Sequence, residues 1–589
     1  MINDQSSCAN QLSNAGLSST GCRWQLLQTD ANIDLMCQVL GVSSTMARVM
    51  ANRGLRSKNA ALSFLQISID HLRPFSLMKD ASLAMARIIR AIETGESITI
   101  FGDYDADGIT STVILYKVLT RLQANVSYYI PHRVSEGYGL TTGSVQKLAD
   151  TGTKLIIAID SGISAIDEIA LAAALGMDTV VIDHHEQGDT LPPAVAIVNP
   201  KQHDCTYPFK EMCAGGLAYK LADALCAKVG TDFVEKDESL VMAAIATICD
   251  IVPLQDENRI LANCGLILLN ANKKINLGLG CILEARQYME KLIDVFSMGY
   301  VVGPCINVAG RLDHAAKAVQ LLCSTDHETC TALTEELLNL NEARKNLTTN
   351  SVDRLLSSLS HPMPKVLVLY DQETHESIAG IVAGRIREST GRPTIVLTKS
   401  EDAIKGSGRS PACYNLFEAL HANRHLFVRF GGHTMAAGLT IIEENIPILR
   451  DVLNETCTLT EDDFASLIEI DDEIPLEHIT IKLADELAHL APFGKGNHEP
   501  MFISRYVYVE NVRVMDEKST LIFTFKSPSG GRIKGIAFGM NDSWAAATTQ
   551  ANVPKTGGFF MDIVYKAETN VYNGNASLQV RVRDFRIRS

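Results

Sequence analysis

From about residue 75 onward, apolar residues fall in short blocks separated by stretches of helical spacing. Residues 97–101 (SITIF), 125–130, 154–159 (KLIIAI), 179–182 (TVVI) and 194–198 are apolar runs of strand length. Between them, 109–122 and the alanine-rich 165–175 have the spacing of helices. Short strands joined by helices predict a mostly parallel sheet covered on both faces. Before this region, residues 1–75 read as short helices with polar joints. After it, 327–360 predicts one long polar helix with leucines at 333, 337, 338, 340 and 347, ended by Pro362 and Pro364. A second α/β unit opens with KVLVLY at 365–370. Beyond an acidic stretch at 461–477, five alternating runs between Met501 and Arg588 predict a small β-barrel of oligonucleotide-binding type, with a plain sandwich as the alternative. The boundaries implied are 1–75, a catalytic domain at 76–326, a connecting helix at 327–360, a second α/β domain at 361–460, and the barrel domain at 461–589.

The polar motifs sit directly after the first strands. GDYDADG (102–108) follows SITIF, Asp160 follows KLIIAI, and Asp183-His184-His185 follows TVVI. Ligands of open α/β sheets bind beyond the carboxyl ends of the strands, so these groups are predicted on one rim. Asp103, Asp105 and Asp107 at alternate positions repel one another unless a cation intervenes. Taken alone, such a loop is equally a solvated acidic turn or a lone calcium site. Imidazole with carboxylate suits manganese, iron or zinc better than calcium. Asp250, in the apolar run TICDIVP, carries a charge that must be paired or metal-bound if buried. The set has enough carboxylate for two divalent cations, which clamp a phosphate and activate water. No P-loop, GxGxxG or nucleophile elbow is present.

In the second α/β unit, His375, Arg385, the run KGSGRS (405–410, with Arg409 and Ser410) and FGGH ending at His433 join cationic groups to glycines. Glycine-rich turns admit phosphate to backbone N–H groups, and arginine grips it bidentately. The competing reading is structural, with glycines for packing and arginines on the surface.

A net charge of −15 argues against simple coating of nucleic acid, although the C-terminus, with Arg581, Arg583, Arg586 and Arg588, is basic. Fourteen cysteines without a C-x-x-C pair suggest reduced thiols and a cytoplasmic setting. No apolar stretch reaches the length of a membrane span, and the N-terminus does not have the form of a secretory signal.

GDYDADG, Asp160, the Asp-His-His triplet and CDIVPL resemble the DHH phosphoesterase superfamily. HESIAGIVAGRI, KGSGRS and RFGGHTMAAGLT resemble its associated C-terminal substrate domain. GPCINVAGRLDHA, APFGKGNHEPMF and the trailing barrel are similar to its bacterial single-strand-specific DNA exonucleases. The resemblance covers residue 75 to the end. It implies a DHH-type sheet domain, a long helix, a second α/β domain and an OB-like barrel. It further implies a 5′-to-3′ exonuclease that releases mononucleotides from single-stranded DNA in recombination and repair, with two Mn²⁺ or Mg²⁺ ions. The implied metal ligands are Asp103, Asp105, Asp107, Asp160, His184, His185 and Asp250, with Asp183 orienting a histidine. Arg385, Arg409 and His433 would hold substrate phosphate, with His375, Ser410 and Arg311 beside them. A monomer is implied, with single-strand-binding protein and a RecQ-type helicase as partners. Departures from the family pattern are Cys305 in place of an arginine, Ser377 and Ala379 in HxGVxGIVA, and His498 in place of a proline. Alternatives are a small-substrate phosphodiesterase or pyrophosphatase, whose chains lack the barrel, and a non-catalytic replication scaffold, which would have lost metal ligands.

Overall fold

This computed structural model describes residues 16–588 apart from 401, 402, 529, 554–556 and 573; the side chains of Lys518 and Tyr572 also lie outside the description. By contacts the chain divides into two units, one of residues 67–457 with 492–497 and one of the remainder. Among the described residues no helix is long and apolar enough to cross a membrane.

The first unit opens on five parallel strands, β1 (Ile98–Phe101), β2 (Val126–Tyr129), β3 (Leu155–Ile159), β4 (Asp178–Ile182) and β5 (Ala196–Val198). Their order is β2-β1-β3-β4-β5. Alternate residues enter two cores. Ile98, Ile100, Ile157, Ile159 and Ile182 pack beneath the helices Ala106–Arg121 and Ala214–Val229. Phe101, Ile156, Ala158 and Val181 pack with Val145, Leu148, Ile169 and Ala172 of the helices Thr142–Asp150 and Ile166–Ala174. Burial on both faces is why these strands read as continuous apolar runs. The order reverses at β1, so the crevice beyond β1 and β3 is the topological switch point at which such sheets bind ligands.

A 31-residue helix, His327–Ser357, leads to the second sheet. There β6 (Leu367–Tyr370) lies parallel to β7 (Thr394–Lys399), followed by antiparallel β8 (Ile404–Arg409), β10 (Ala436–Ile441) and β9 (Phe427–His433). Here the glycine-turn expectation is corrected. KGSGRS is a central strand whose backbone pairs on both sides, and its glycines serve packing. A Cβ on Gly406 would stand 2.5 Å from Leu397, and one on Gly408 2.6 Å from Leu416. FGGH likewise lies in β9, in register with β10.

In the second unit, the five expected runs become strands Phe502–Met515, Thr520–Lys526, Arg532–Phe538, Phe559–Tyr572 and Asn575–Arg588. Pairing of Phe502–Met515 with Phe559–Tyr572 closes them into a barrel, which excludes the sandwich. Of the barrel aromatics, Phe502, Phe523, Phe525 and Tyr565 are core, whereas Tyr506 and Phe560 are exposed. The N-terminal segment is not all helical. Arg23–Leu26 is a strand parallel to Leu467–Ile470, so the acidic 461–477 stretch is folded rather than a linker. Buried Ile470 anchors it in the same cluster as Trp24.

Candidate metal centre

The loop after β1 assigns its three carboxylates different local tasks. Asp105 caps the helix Ala106–Arg121, accepting from Asp107 N at 3.0 Å and Gly108 N at 3.1 Å. Asp107 is buried and accepts from Ala214 N at 2.9 Å and Gly215 N at 2.7 Å, the first amides of Ala214–Val229. A helix N-terminus is a favourable place for a carboxylate. Asp103 is also buried, and its Oδ1 has no hydrogen-bond partner. Gly108 is required here because a Cβ would fall 2.6 Å from the Asp103 backbone.

Asp160, at the end of β3, is held in the left-handed region at φ 62°, where Tyr138 Oη donates to its carbonyl at 3.1 Å. Strain of this kind at a strand end persists only when the surroundings impose it. Asp250 ends the helix Lys236–Cys249. His184 Nε2 lies among these groups, 3.0 Å from Asp160, 3.5 Å from Asp107 and 3.8 Å from Asp250. Asp183 is buried behind the histidines. It accepts from Ile163 N at 3.0 Å, His184 N at 2.7 Å and His185 N at 3.1 Å, and its Oδ1 is 2.8 Å from His185 Nδ1.

All seven expected ligands therefore converge. They form three overlapping sets, Asp160-His184-His185, Asp107-His184-Asp250 and Asp103-Asp105-Asp160, each with its ligand atoms within 4.8 Å of one another. The electrostatics are those of a site built for cations. Burial, then the neighbouring carboxylates, holds Asp103 and Asp160 well above the usual range. The same two causes lift Asp107 to about 7 and Asp250 to about 8. Burial and the charge of His185 depress His184 to about 3, which leaves the ring neutral. Burial opposes charge on His185, but Asp183 outweighs it and lifts the ring to about 9. Burial would also raise Asp183, yet its bond to His185 brings it down to about 2. Mutually repelling carboxylates with an unpartnered buried oxygen fit one or more divalent cations.

The residues expected to hold phosphate are less uniformly placed. Arg409 is half-buried and donates to the Gly408 carbonyl at 2.8 Å, and Arg311 donates to the Ser377 carbonyl at 3.2 Å. Ser410 is buried and donates to the Tyr414 carbonyl at 2.7 Å, so its hydroxyl is already used. His375 caps a short helix through Nδ1, Arg385 is exposed beside Thr349, and His433 lies at the β9–β10 hairpin. Cys305 is fully buried, its thiol 3.1 Å from the Val301 carbonyl, with Arg344 among the cations around it.

Sequence reasoning passed over Arg133, whose guanidinium lies 4.7 Å from the centre of the Tyr104 ring. Burial and the charge of Arg133 depress Arg409, and burial with Arg133 and Arg344 brings Arg311 to about 10. Among the described residues no carboxylate pairs with Arg133, Arg311 or Arg409. A cavity of about 740 Å³ opens at Arg133, with Tyr104, Tyr138, Ser377, Arg429 and the ion pair Glu376–Lys405 also in its lining. The PHR sequence at 131–133, directly after β2, was the available signal.

Carboxylates and imidazoles at three neighbouring strand ends of a 2-1-3-4-5 parallel sheet are the arrangement of a DHH-type phosphoesterase. A family model described as the DHH family, N-terminal domain, matches residues 97–249, the DHHA1 domain matches 363–459, and the RecJ OB domain matches 470–584. The chain is 34% identical over 576 residues to the single-stranded-DNA-specific exonuclease RecJ of Bacillus subtilis, covering 95% of this chain and 70% of that one. Its fold is similar to the crystal structures of RecJ from Thermus thermophilus in complex with Mn²⁺ (TM-score 0.80, 28% identity, 96% of this chain and 80% of that one) and with Mg²⁺ (TM-score 0.76, 27% identity, 96% and 79%). The chain belongs to the RecJ family of single-stranded-DNA-specific exonucleases.

Proposed function

We propose that this chain is a metal-dependent exonuclease that removes 5′-mononucleotides from single-stranded DNA in the 5′-to-3′ direction, acting in recombination and repair. The observation that carries this reading is the convergence of five aspartates and two histidines around a buried, unpartnered carboxylate oxygen of Asp103. Asp103, Asp105, Asp107, Asp160, Asp250, His184 and His185 would hold two Mn²⁺ or Mg²⁺ ions. Such ions, when bound, supply a water nucleophile at neutral pH and stabilise charge on the phosphoryl oxygens.

The chain's own residues do the rest. Asp183 holds the His185 ring through Nδ1, 2.8 Å from its Oδ1, which would leave Nε2 to bind a metal. Asp183→Asn is expected to weaken Mn²⁺ binding by about 10–100-fold, read by calorimetric titration; unchanged affinity would remove Asp183 from this role. Arg133, Arg311 and Arg409, unpaired with carboxylate among the described residues and with the charge of Arg133 felt by the other two, form the anion pocket for the 5′-terminal phosphate. Arg409→Ala is therefore expected to erase the preference for 5′-phosphorylated over 5′-hydroxyl strands and to raise KM by about tenfold. A steady-state competition assay on the two kinds of end decides it, and a preserved preference would point the phosphate elsewhere.

The direct test of the whole reading is incubation of a 3′-labelled single strand with Mn²⁺ and inspection of the products. Progressive shortening from the 5′ end is expected; cuts confined to dinucleotides would indicate a small-substrate enzyme. The described cysteines are all free thiols, which suits a reducing cytoplasm. Single-strand-binding protein and a RecQ-type helicase, which cover and generate such strands, are the proposed partners of a monomeric enzyme.

A further inference from the structure

The helical segment after Asp294 carries an exposed aromatic pair that no role above uses. Asp294 and Ser297 cap it reciprocally, and the turn Met298–Val302 is π-helical, a distortion frequent at functional sites. Phe296 and Tyr300 stack with ring centres 4.9 Å apart and planes inclined by 26°. They are nevertheless 63% and 72% exposed, a costly arrangement for two large rings.

Three anchors place this segment beside the metal centre. The Cys249 thiol lies 3.9 Å from the Met298 carbonyl, one residue before Asp250. A Cβ on Gly303 would fall 2.5 Å from the same sulfur. Asn307 Oδ1 accepts from Ala106 N at 2.7 Å, at the helix start capped by Asp105. Tyr300 thus stands about 10 Å along the helix from the residue that touches the aspartate loop. Ile251, next to Asp250, is 64% exposed and held at φ 57°, a conformation that strains a β-branched residue.

A second chain segment reaches the same place. In Pro492–Asn497, Leu254 N donates to the Lys495 carbonyl at 2.7 Å and Gln255 Nε2 to the Gly496 carbonyl at 2.7 Å. A Cβ on Gly494 would lie 3.7 Å from Val295, the neighbour of Phe296. Lys495 is therefore pinned between the Asp250 turn and the aromatic segment, and its charge is felt by Asp250.

We propose that Phe296, Tyr300 and Lys495 form a strand-holding platform, on which bases of the single strand leaving the metal centre stack while Lys495 meets a phosphate. Aromatic stacking holds unpaired bases without regard to sequence, as an exonuclease requires. The platform rests on the exonuclease reading but can be tested apart from it.

In an Asp160→Ala background, which prevents cleavage, a 5′-phosphorylated strand of about 12 nucleotides carrying 2-aminopurine at successive positions reports both affinity and stacking. Phe296→Ala with Tyr300→Ala is expected to weaken binding by about tenfold or more and to abolish the stacking quench at one or two adjacent positions. Lys495→Ala is expected to weaken binding and flatten its salt dependence. Phe296→Leu with Tyr300→Leu keeps the apolar bulk and should lose the quench in the same way. A parental Kd with persistent quench in either aromatic pair overturns the platform. Failure of the otherwise unmodified protein to degrade the same strand would instead overturn the exonuclease reading.

Discussion

Replacing Asp160 with alanine lowers cleavage of single-stranded DNA by at least about a thousandfold and leaves strand binding within a few-fold of the parent. The expectation follows from position. Asp160 belongs to two of the three ligand sets, Asp160-His184-His185 and Asp103-Asp105-Asp160, so its loss disables both. Its side chain is bonded to His184 and to none of Arg133, Arg311 or Arg409, so the strand still has its anion site. Single-turnover cleavage and anisotropy on the same protein separate the two quantities. Appreciable cleavage by the variant would show that Asp160 is a structural group and that the ligand assignment is wrong. Removing residues 465–589 is a poorer test of the barrel, because it also removes Pro492–Asn497 and the strand that pairs with Arg23–Leu26.

The second large effect is on stability. Without metal, the folded protein is expected to lose stability as pH rises from about 6.5 to 8, and Mn²⁺ is expected to restore it. Asp250, lifted from 3.8 to about 8, keeps its proton in the folded state after the unfolded chain has released it. Asp103 and Asp160, held well above 3.8, behave in the same way, and Asp107 does so in part. His185, raised from 6.5 to about 9, adds stability that is full below 6.5 and lost on the way to 9. His184, lowered from 6.5 to about 3, works in the opposite direction, but only below 6.5. Asp183, lowered to about 2, matters only in acid. In the chosen window the folded state thus binds more protons than the unfolded one, and each extra proton costs roughly 1.4 kcal/mol per pH unit. Bound cations replace those protons, so the rise in Tm on adding Mn²⁺ should grow from pH 6.5 to pH 8. A metal-free Tm that climbs across this interval would show that the carboxylates are not crowded as described.

Much of this molecule is written locally. The runs at 97–101, 154–159 and 179–182 form strands because short apolar blocks buried on both faces have no other stable use, and the motifs after them must then emerge at the same sheet edge. Asp103, Asp105, Asp107, Asp160, His184 and His185 were legible for that reason. That Asp183 orients a histidine was implied by the family resemblance alone; its carboxylate is buried with Oδ1 2.8 Å from His185 Nδ1. The glycines of KGSGRS and FGGH were misleading, because a short string does not reveal whether its N–H groups face a ligand or a neighbouring strand. Both belong to strands, which shows only in the pairing of β8 on each side and of β9 with β10.

The positions of the apolar strands of the first sheet and of the long helix are thus properties of the chain's own pattern, because backbone hydrogen bonding and apolar burial act over a few residues. Contacts between groups hundreds of positions apart are not. The tie of Asp107 to Ala214 and Gly215, the meeting of Arg133 with Arg311 and Arg409, and the pinning of Lys495 beside Asp250 exist only once the whole unit is packed. Charge and desolvation depend on distance through space, which chain separation does not encode, and it is those distances that turn scattered aspartates into a metal centre.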